Sequence, residues 1–285
     1  MYIRKLNLKN WRNFKEASID FSRISYVIGP NASGKSNLLD VFRFLRDICK
    51  PSGGGLQQAV ALRDGIPRLR CLHARKDPEV RIEVHLSSRM DSVTPEWKYI
   101  LGFKPEGKGA QRILVSTEEV WQGEERIVHR PDREDKNDTQ LLTETHLEQT
   151  RANQAFRVLS TVFSQITYLH LVPQMLKYAE RIGGQQLDDD PFGQGFLEKI
   201  ARSTDKARQS RLRKIEKALS AAVPNFKELR LKRDSMGHPH LEALYEHHRP
   251  NAGWQSEEHF SDGTLRLIGS KRPNKAVIPS RVMPG

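Results

Sequence analysis

The stretch that decides the fold is Ile24–Leu39, which reads ISYVIGPNASGKSNLL. Its first five residues form a compact, largely apolar run that predicts a buried strand. The next eight match the pattern G-x-x-x-x-G-K-[ST] at every fixed position; they are Gly29, Pro30, Asn31, Ala32, Ser33, Gly34, Lys35 and Ser36. Beyond them, Leu38, Phe42, Leu45 and Ile48 recur every three or four positions, which predicts a helix. A strand, a glycine-rich loop and a helix in this order are what a P-loop requires.

The residue types of this loop suit the binding of a triphosphate. Glycine most easily adopts the conformations that turn backbone N–H groups inward, and the positive end of the following helix points at the same anion. Lys35 would reach the β- and γ-phosphates, and the Ser36 hydroxyl would ligate Mg²⁺. We therefore predict ATP and Mg²⁺ as cofactors; a plain glycine-rich turn is the alternative. The chain lacks a fitting Asn-Lys-x-Asp segment, which is typical of GTPases.

The flanking sequence predicts an α/β architecture with a mixed sheet. Residues 1–50 hold the N-terminal strands, the P-loop and the first helix. Alternating apolar residues over 78–130 predict an antiparallel β lobe. Residues 140–225 read as a helical region that includes a buried strand at Ile166–Val172, and 226–270 carry further strands and a last helix. The tail 271–285 has three prolines and no acid, so we expect it to be disordered or frame-shifted.

Composition indicates a soluble protein with uneven charge. Apolar residues make up 37 % and charged residues 29 % of the chain, and the net charge is +12. Leu197–Arg233 holds twelve Lys or Arg against four Asp or Glu. This segment could follow a nucleic-acid backbone or could be a solvated helix face; the candidates for DNA contact are Arg208, Arg211, Arg213, Lys214 and Lys217. We predict no membrane segment, a cytoplasmic location and two buried, reduced thiols, Cys49 and Cys71.

Three stretches together resemble the RecF/SMC/OLD-like branch of ABC-type ATPases, often called AAA family ATPases. They are Asn10–Phe14 (NWRNF), the loop with its following residues (GPNASGKSNLLD), and Phe260–Arg266 (FSDGTLR). The resemblance implies a P-loop NTPase fold of the ABC-type ATPase head, with Arg12, Asn13 and Asn37 close to the nucleotide. It also implies that Ser261, Asp262 and Gly263 form a signature that contacts ATP held by a partner subunit. An ATP-dependent homodimer acting in DNA repair or anti-phage defence would follow.

One part of that pattern is missing from the sequence. After the signature we find no apolar strand that ends in the two acids of a Walker B motif, so hydrolysis is doubtful. We expect the C-terminal part of the head to be absent through truncation or frameshift; a natural short variant is the alternative. Two other functions stay open, a non-hydrolysing regulatory subunit that recruits a nuclease partner and a P-loop kinase. We interpret Asp188–Asp190 as a solvated loop. The cluster of His238, His240, His247 and His248 is a weak candidate for a metal site.

Overall fold

The computed structural model describes residues 1–73, 77–107, 110–178, 190, 192–246 and 253–270. The chain divides into two compact units at the junction between Ile166 and Thr167. Each unit has a hydrophobic core of its own. The tail 271–285, His247, His248, Asp188 and Asp189 lie outside the described residues.

The first unit is built on a six-stranded antiparallel sheet with the order β2-β1-β3-β4-β5-β6. The strands are β1 (Tyr2–Trp11), β2 (Phe14–Asp20), β3 (Val80–Ser87), β4 (Trp97–Gly107), β5 (Ala110–Gln122) and β6 (Glu125–Arg130). Alternate residues of β1 and β3 are buried, among them Leu6, Leu8, Ile82 and Val84. One face of the sheet is therefore covered and the other is polar, as an antiparallel sheet permits.

Helix α1 (Lys35–Ile48) covers the apolar face of this sheet. Phe44 of α1 meets Trp11 of β1 edge to face at 5.2 Å between ring centroids and stacks on Phe103 of β4 at 5.3 Å. Each such fully buried aromatic ring stabilises the fold by roughly 1.5–3 kcal/mol. The ring cluster fixes α1, and with it the loop that precedes α1, against the sheet.

Shorter helices complete the first unit. They are α2 (Leu56–Ala61), α3 (Ile66–Leu69), α4 (Arg133–Asn137) and α5 (Arg157–Ser164), with 3-10 turns at Thr139–Thr143 and Gln154–Phe156.

The two thiols, Cys49 and Cys71, are buried and free, as predicted, and burial raises the pKa of Cys49 to about 12. Such a thiol stays protonated and unreactive at neutral pH.

The second unit combines helices with a small antiparallel sheet of order β7-β8-β9. Its elements are α6 (Pro173–Lys177), α7 (Phe196–Ala201), α8 (Asp205–Ala222), β7 (Phe226–Arg233), β8 (Pro239–Tyr245), β9 (Gln255–Ser256), a 3-10 turn at Glu257–His259, and α9 (Asp262–Ser270). Ile215 and Leu219 on α8 share a core with Leu229, Leu241 and Leu265. These residues form the buried face of this long helix.

Two predicted strands are wrong. Ile24–Ile28 and Ile166–Val172 are both irregular, and neither run is buried. An apolar run becomes a strand only where a neighbouring strand accepts its hydrogen bonds, and within the described ranges neither run is part of a sheet. The second run also crosses the junction between the two units.

Candidate functional site

The loop Gly29–Ser36 turns into α1 through two residues with left-handed backbone conformations. Ala32 has φ 63° and Gly34 has φ 99°. The Leu38 N–H donates to the Gly34 carbonyl at 2.9 Å, so the helical hydrogen bonds begin at Gly34. A Cβ atom on Gly34 would collide with the side-chain amide of Asn13. Both the positive φ and the crowding therefore require glycine at this position.

The loop offers cationic and donor groups to solvent. The Lys35 ammonium donates to the carbonyls of Gly29 and Pro30 at 2.8 and 2.6 Å, which closes the loop on itself. Ser36 is exposed, and no side chain caps the start of α1. The N–H groups of the first helical turn and the partial positive charge there thus remain available to an anion. Lys35, Ser36 and this helix end fit the phosphates of a nucleotide and its Mg²⁺.

The tight turn between β1 and β2 is fastened to the start of α1. Trp11 Nε1 donates to the Asn37 carbonyl at 2.8 Å, and the Asn37 amide donates to Asn13 Oδ1 at 2.7 Å. Arg12 lies in the turn with φ 50° and contacts Asp40 with Nε and Nη2 at 3.1 and 2.7 Å. The residues of the early motif, Arg12 and Asn13, are therefore brought to the helix that follows the loop.

Sequence reasoning missed the charged network on α1. Asp40 is buried one helical turn after Ser36 and accepts hydrogen bonds from Arg12 and from Arg63, whose Nε and Nη2 lie 3.0 Å from its two oxygens. Arg63 also contacts Asp47 at 3.0 Å. Burial alone would raise the pKa of Asp40, but Arg63 and Arg12 outweigh it, and the pKa is lowered. The only sign of this network in the sequence was an acidic residue, Asp40, on the largely apolar face of the predicted helix.

The signature residues begin α9 in the second unit. Ser261 Oγ accepts the Thr264 N–H at 3.1 Å, which caps the helix, and Asp262 lies 3.6 Å from Lys177. Ser261, Asp262 and Gly263 are all exposed. A Cβ atom added to Gly263 would have Ser261 Oγ as its nearest neighbour, at 3.8 Å. The fold of the described residues therefore has room for a side chain at Gly263.

The five basic candidates on α8 separate into two groups. Arg208 donates to the Ala201 carbonyl at 3.3 Å, and Arg211 donates to the Lys199 carbonyl at 3.1 Å. These two side chains satisfy carbonyls at the end of α7, which is a structural role. Arg213, Lys214 and Lys217 are exposed. Arg208 and Arg211 are half-buried, so the second group presents its charge to solvent more fully.

The histidine and acidic candidates have structural partners. His240 Nδ1 lies 2.8 Å from the buried Glu257, and His238 lies 3.5 Å from Asp234. Among the described residues, no group of three or more His, Cys, Asp or Glu is arranged to hold a metal ion. The interpretation of Asp190 as part of a solvated loop is wrong: it is buried and accepts the N–H groups of Gly193 and Gly195 at 3.1 and 3.2 Å.

A family comparison spans both of these units. The family model described as "AAA domain, putative AbiEii toxin, Type IV TA system" matches residues 24–269, from the start of the ISYVI run to α9. That range covers well over half of the chain. This chain belongs to that family. Its membership confirms the resemblance to ABC-type ATPases of the RecF/SMC-like branch and the α/β fold class predicted for the head.

The relatives of this AAA-family chain match it over short stretches of sequence. The DNA replication and repair protein RecF of Lactobacillus gasseri is 50 % identical over 46 residues, which is 16 % of this chain and 12 % of the relative. RecF of Roseiflexus castenholzii is 30 % identical over 99 residues, covering 32 % and 25 %. A solved structure of the recombination mediator protein RecF with ATP has a TM-score of 0.34 and 16 % identity, over 95 % of this chain and 78 % of that one. The sequence matches thus span a quarter or less of these RecF proteins' own length.

In the part of the chain that the structure describes, none of the helices combines the length and apolar character needed to cross a membrane.

Proposed function

We propose that this chain binds Mg·ATP through Gly29–Ser36 as an ATPase-type module of DNA repair or anti-phage defence. The observation that carries the proposal is the P-loop itself, which enters an uncapped helix whose Asn37 is fastened to the β1–β2 turn by Trp11 and Asn13. When ATP binds, the Lys35 ammonium leaves the two loop carbonyls and binds the β- and γ-phosphates instead. Ser36 ligates Mg²⁺. Asn37 and Arg12 border the nucleotide.

Turnover assays on purified chain separate the three candidate functions. Hydrolysis of ATP that is lost in Lys35→Ala supports an ATPase. Binding without turnover supports a regulatory subunit, for which a nuclease partner is the expected target. Transfer of phosphate to a small molecule supports a kinase. We expect binding with little or no hydrolysis, because the sequence offers no acid pair after an apolar strand to position the attacking water.

We further propose that ATP joins two copies of the chain. Ser261, Asp262 and Gly263 are exposed at the start of a nine-residue helix. Backbone N–H groups and the dipole at such a helix end favour an anion. The signature of one copy then contacts the γ-phosphate bound by the other. Light scattering should show a dimer with Mg·ATP and a monomer without it; a monomer in both conditions contradicts this proposal.

DNA contact is proposed for Arg213, Lys214 and Lys217 on α8. Neutralising all three to Gln should weaken DNA binding and lower the slope of log affinity against log salt by roughly 2–3, since each phosphate contact adds about 0.9. A matched control neutralises three exposed cations of the first unit, Arg89, Lys104 and Arg126. If log affinity against log salt has the same slope in both triple variants, α8 does not contact DNA.

A further inference from the structure

The signature helix α9 packs against α6 and the residues just before it. Leu176 of α6 is buried in the same core as Leu265 of α9. Toward the other end of α9, a Cβ atom added to Gly269 would collide with the side chain of Leu171, which precedes α6. This segment therefore runs along α9 from its end toward its start, and it brings Lys177, the last residue of α6, to the signature.

Lys177 forms an ion pair with the signature residue Asp262. The lysine Nζ lies 3.6 Å from Asp262 Oδ1. The Lys177 side chain is 17 % exposed and that of Asp262 is 52 % exposed, so the lysine is held against the protein while the acid faces solvent. Removing the lysine charge would leave an uncompensated carboxylate at the exposed start of α9.

That carboxylate lies where the proposed dimer needs to accept an anion. An α-helix leaves the N–H groups of its first turn without acceptors inside the helix. Ser261 Oγ accepts the one from Thr264. Asp262 and Gly263 supply the next N–H groups of this turn, and both residues are exposed. The helix dipole favours an anion at this end, whereas a bare carboxylate on Asp262 would repel one.

We propose that Lys177 is a positioning residue for the signature. By neutralising Asp262, it allows the start of α9 to accept the γ-phosphate of ATP bound by a second copy. The role rests on the proposed ATP-joined dimer, and it assigns to that contact a residue that lies outside the P-loop and the signature. Lys177 acts through Asp262, so its effect should disappear when Asp262 carries no charge.

The dissociation constant of the dimer at saturating Mg·ATP measures this effect, by sedimentation of the full chain over a dilution series. Lys177→Met keeps the apolar stem and removes the charge. It should raise the dissociation constant about threefold or more, the size expected of a partly exposed ion pair. Lys177→Arg keeps the charge and should weaken the dimer less than that. The double variant Lys177→Met/Asp262→Asn should also dimerise like the unaltered chain, because neither charge of the pair remains.

Lys227→Met is the matched control. Lys227 lies 3.5 Å from Glu246 in the same unit, so the variant breaks a similar ion pair outside the signature. It should leave the dissociation constant unchanged. If Lys177→Met weakened the dimer only through damage to the fold, the weakening would persist in the double variant. Rescue by Asp262→Asn therefore separates charge compensation from a merely structural role.

Three results would overturn the role of Lys177 while the dimer itself stands. They are a Lys177→Met dimer within about threefold of the unaltered chain, no rescue by Asp262→Asn, and a loss in Lys177→Arg or Lys227→Met as large as that in Lys177→Met. An unaltered chain that stays monomeric with Mg·ATP would instead refute the proposed dimer, and the role of Lys177 with it.

Discussion

Asp40 shows how single residues hold the candidate site. It is a buried acid on α1 that accepts hydrogen bonds from Arg12 and Arg63, while Arg43 lies 3.7 Å from one of its oxygens, and the two hydrogen-bonding arginines are not equivalent. The side chain of Arg63 is 4 % exposed and also binds Asp47 and the Ala59 carbonyl, whereas that of Arg12 is 26 % exposed and contacts only one oxygen of Asp40. We infer that Arg63 fixes α1 while Arg12 is the arginine that can be released toward a ligand.

Replacing each arginine should separate these roles. Arg63→Leu leaves Asp40 with Arg12 and Asp47 with Arg46 but removes one hydrogen-bonded cation from each buried acid, and should lower the free energy of unfolding by about 3 kcal/mol. Arg12→Leu leaves Asp40 paired with Arg63 and should cost about 1 kcal/mol. Urea denaturation of both variants gives the comparison. Similar losses for the two would mean that Arg12 is as structural as Arg63.

Glu148 should make stability depend on pH near neutrality. Its two oxygens accept the N–H groups of Thr145 and Leu56, at 2.5 and 2.7 Å. Burial raises its pKa from 4.5 to about 7 against the effect of those bonds, with help from Glu144 and Glu118. Because the folded chain then binds more protons than the unfolded chain, the free energy of unfolding should fall as pH rises from 4.5 to 7, by about 3 kcal/mol at most.

The matched variant for this effect is Glu148→Gln. It cannot titrate, so its stability curve should be flatter over the same pH interval, whatever its absolute stability. Denaturant midpoints at half-unit steps of pH would show the difference. Parallel curves for the two proteins would exclude Glu148 as the group responsible.

At the scale of elements, a substitution at the start of α9 should affect dimer formation without affecting the stability of the fold. Gly263→Ala should change the free energy of unfolding by less than about 0.5 kcal/mol, since the space for a Cβ is open. It should nevertheless weaken the proposed ATP-dependent dimer, because in that proposal the backbone of one copy approaches the other copy's nucleotide at Gly263. Gly253→Ala, with nothing within 4 Å of its Cβ, is the control. A Gly263→Ala dimer as tight as that of the unaltered chain would refute the role of the signature.

The elements also show what sequence alone could and could not predict. Helix α1 follows from apolar spacing within one segment, and the antiparallel strands β3 and β4 follow from alternation, because each pattern is local. The contacts of Asp40 join residues 12, 40 and 63, so no local pattern contains them. Ile24–Ile28 has a strand's composition, but strand formation depends on a neighbour that the run itself does not specify.

For the whole molecule, the range of the family match agrees with the positions of the two motifs found in the sequence. The family match runs from Ile24 to Gly269 and so includes both the P-loop and the signature. The early motif was predicted to lie close to the nucleotide, and the structure fastens Arg12 and Asn13 to α1. In the basic segment, Arg208 and Arg211 donate to carbonyls at the end of α7, and DNA contact by its candidates stays a prediction.

The central claim is that the loop from Gly29 to Ser36 binds a triphosphate. A calorimetric titration of Mg·ATP into the folded chain tests it most directly. We predict saturable heat with one site per chain, and a loss of at least tenfold in affinity for Lys35→Ala, while Lys15→Ala binds normally. No heat from well-folded protein, or equal affinity in Lys35→Ala, would contradict the account.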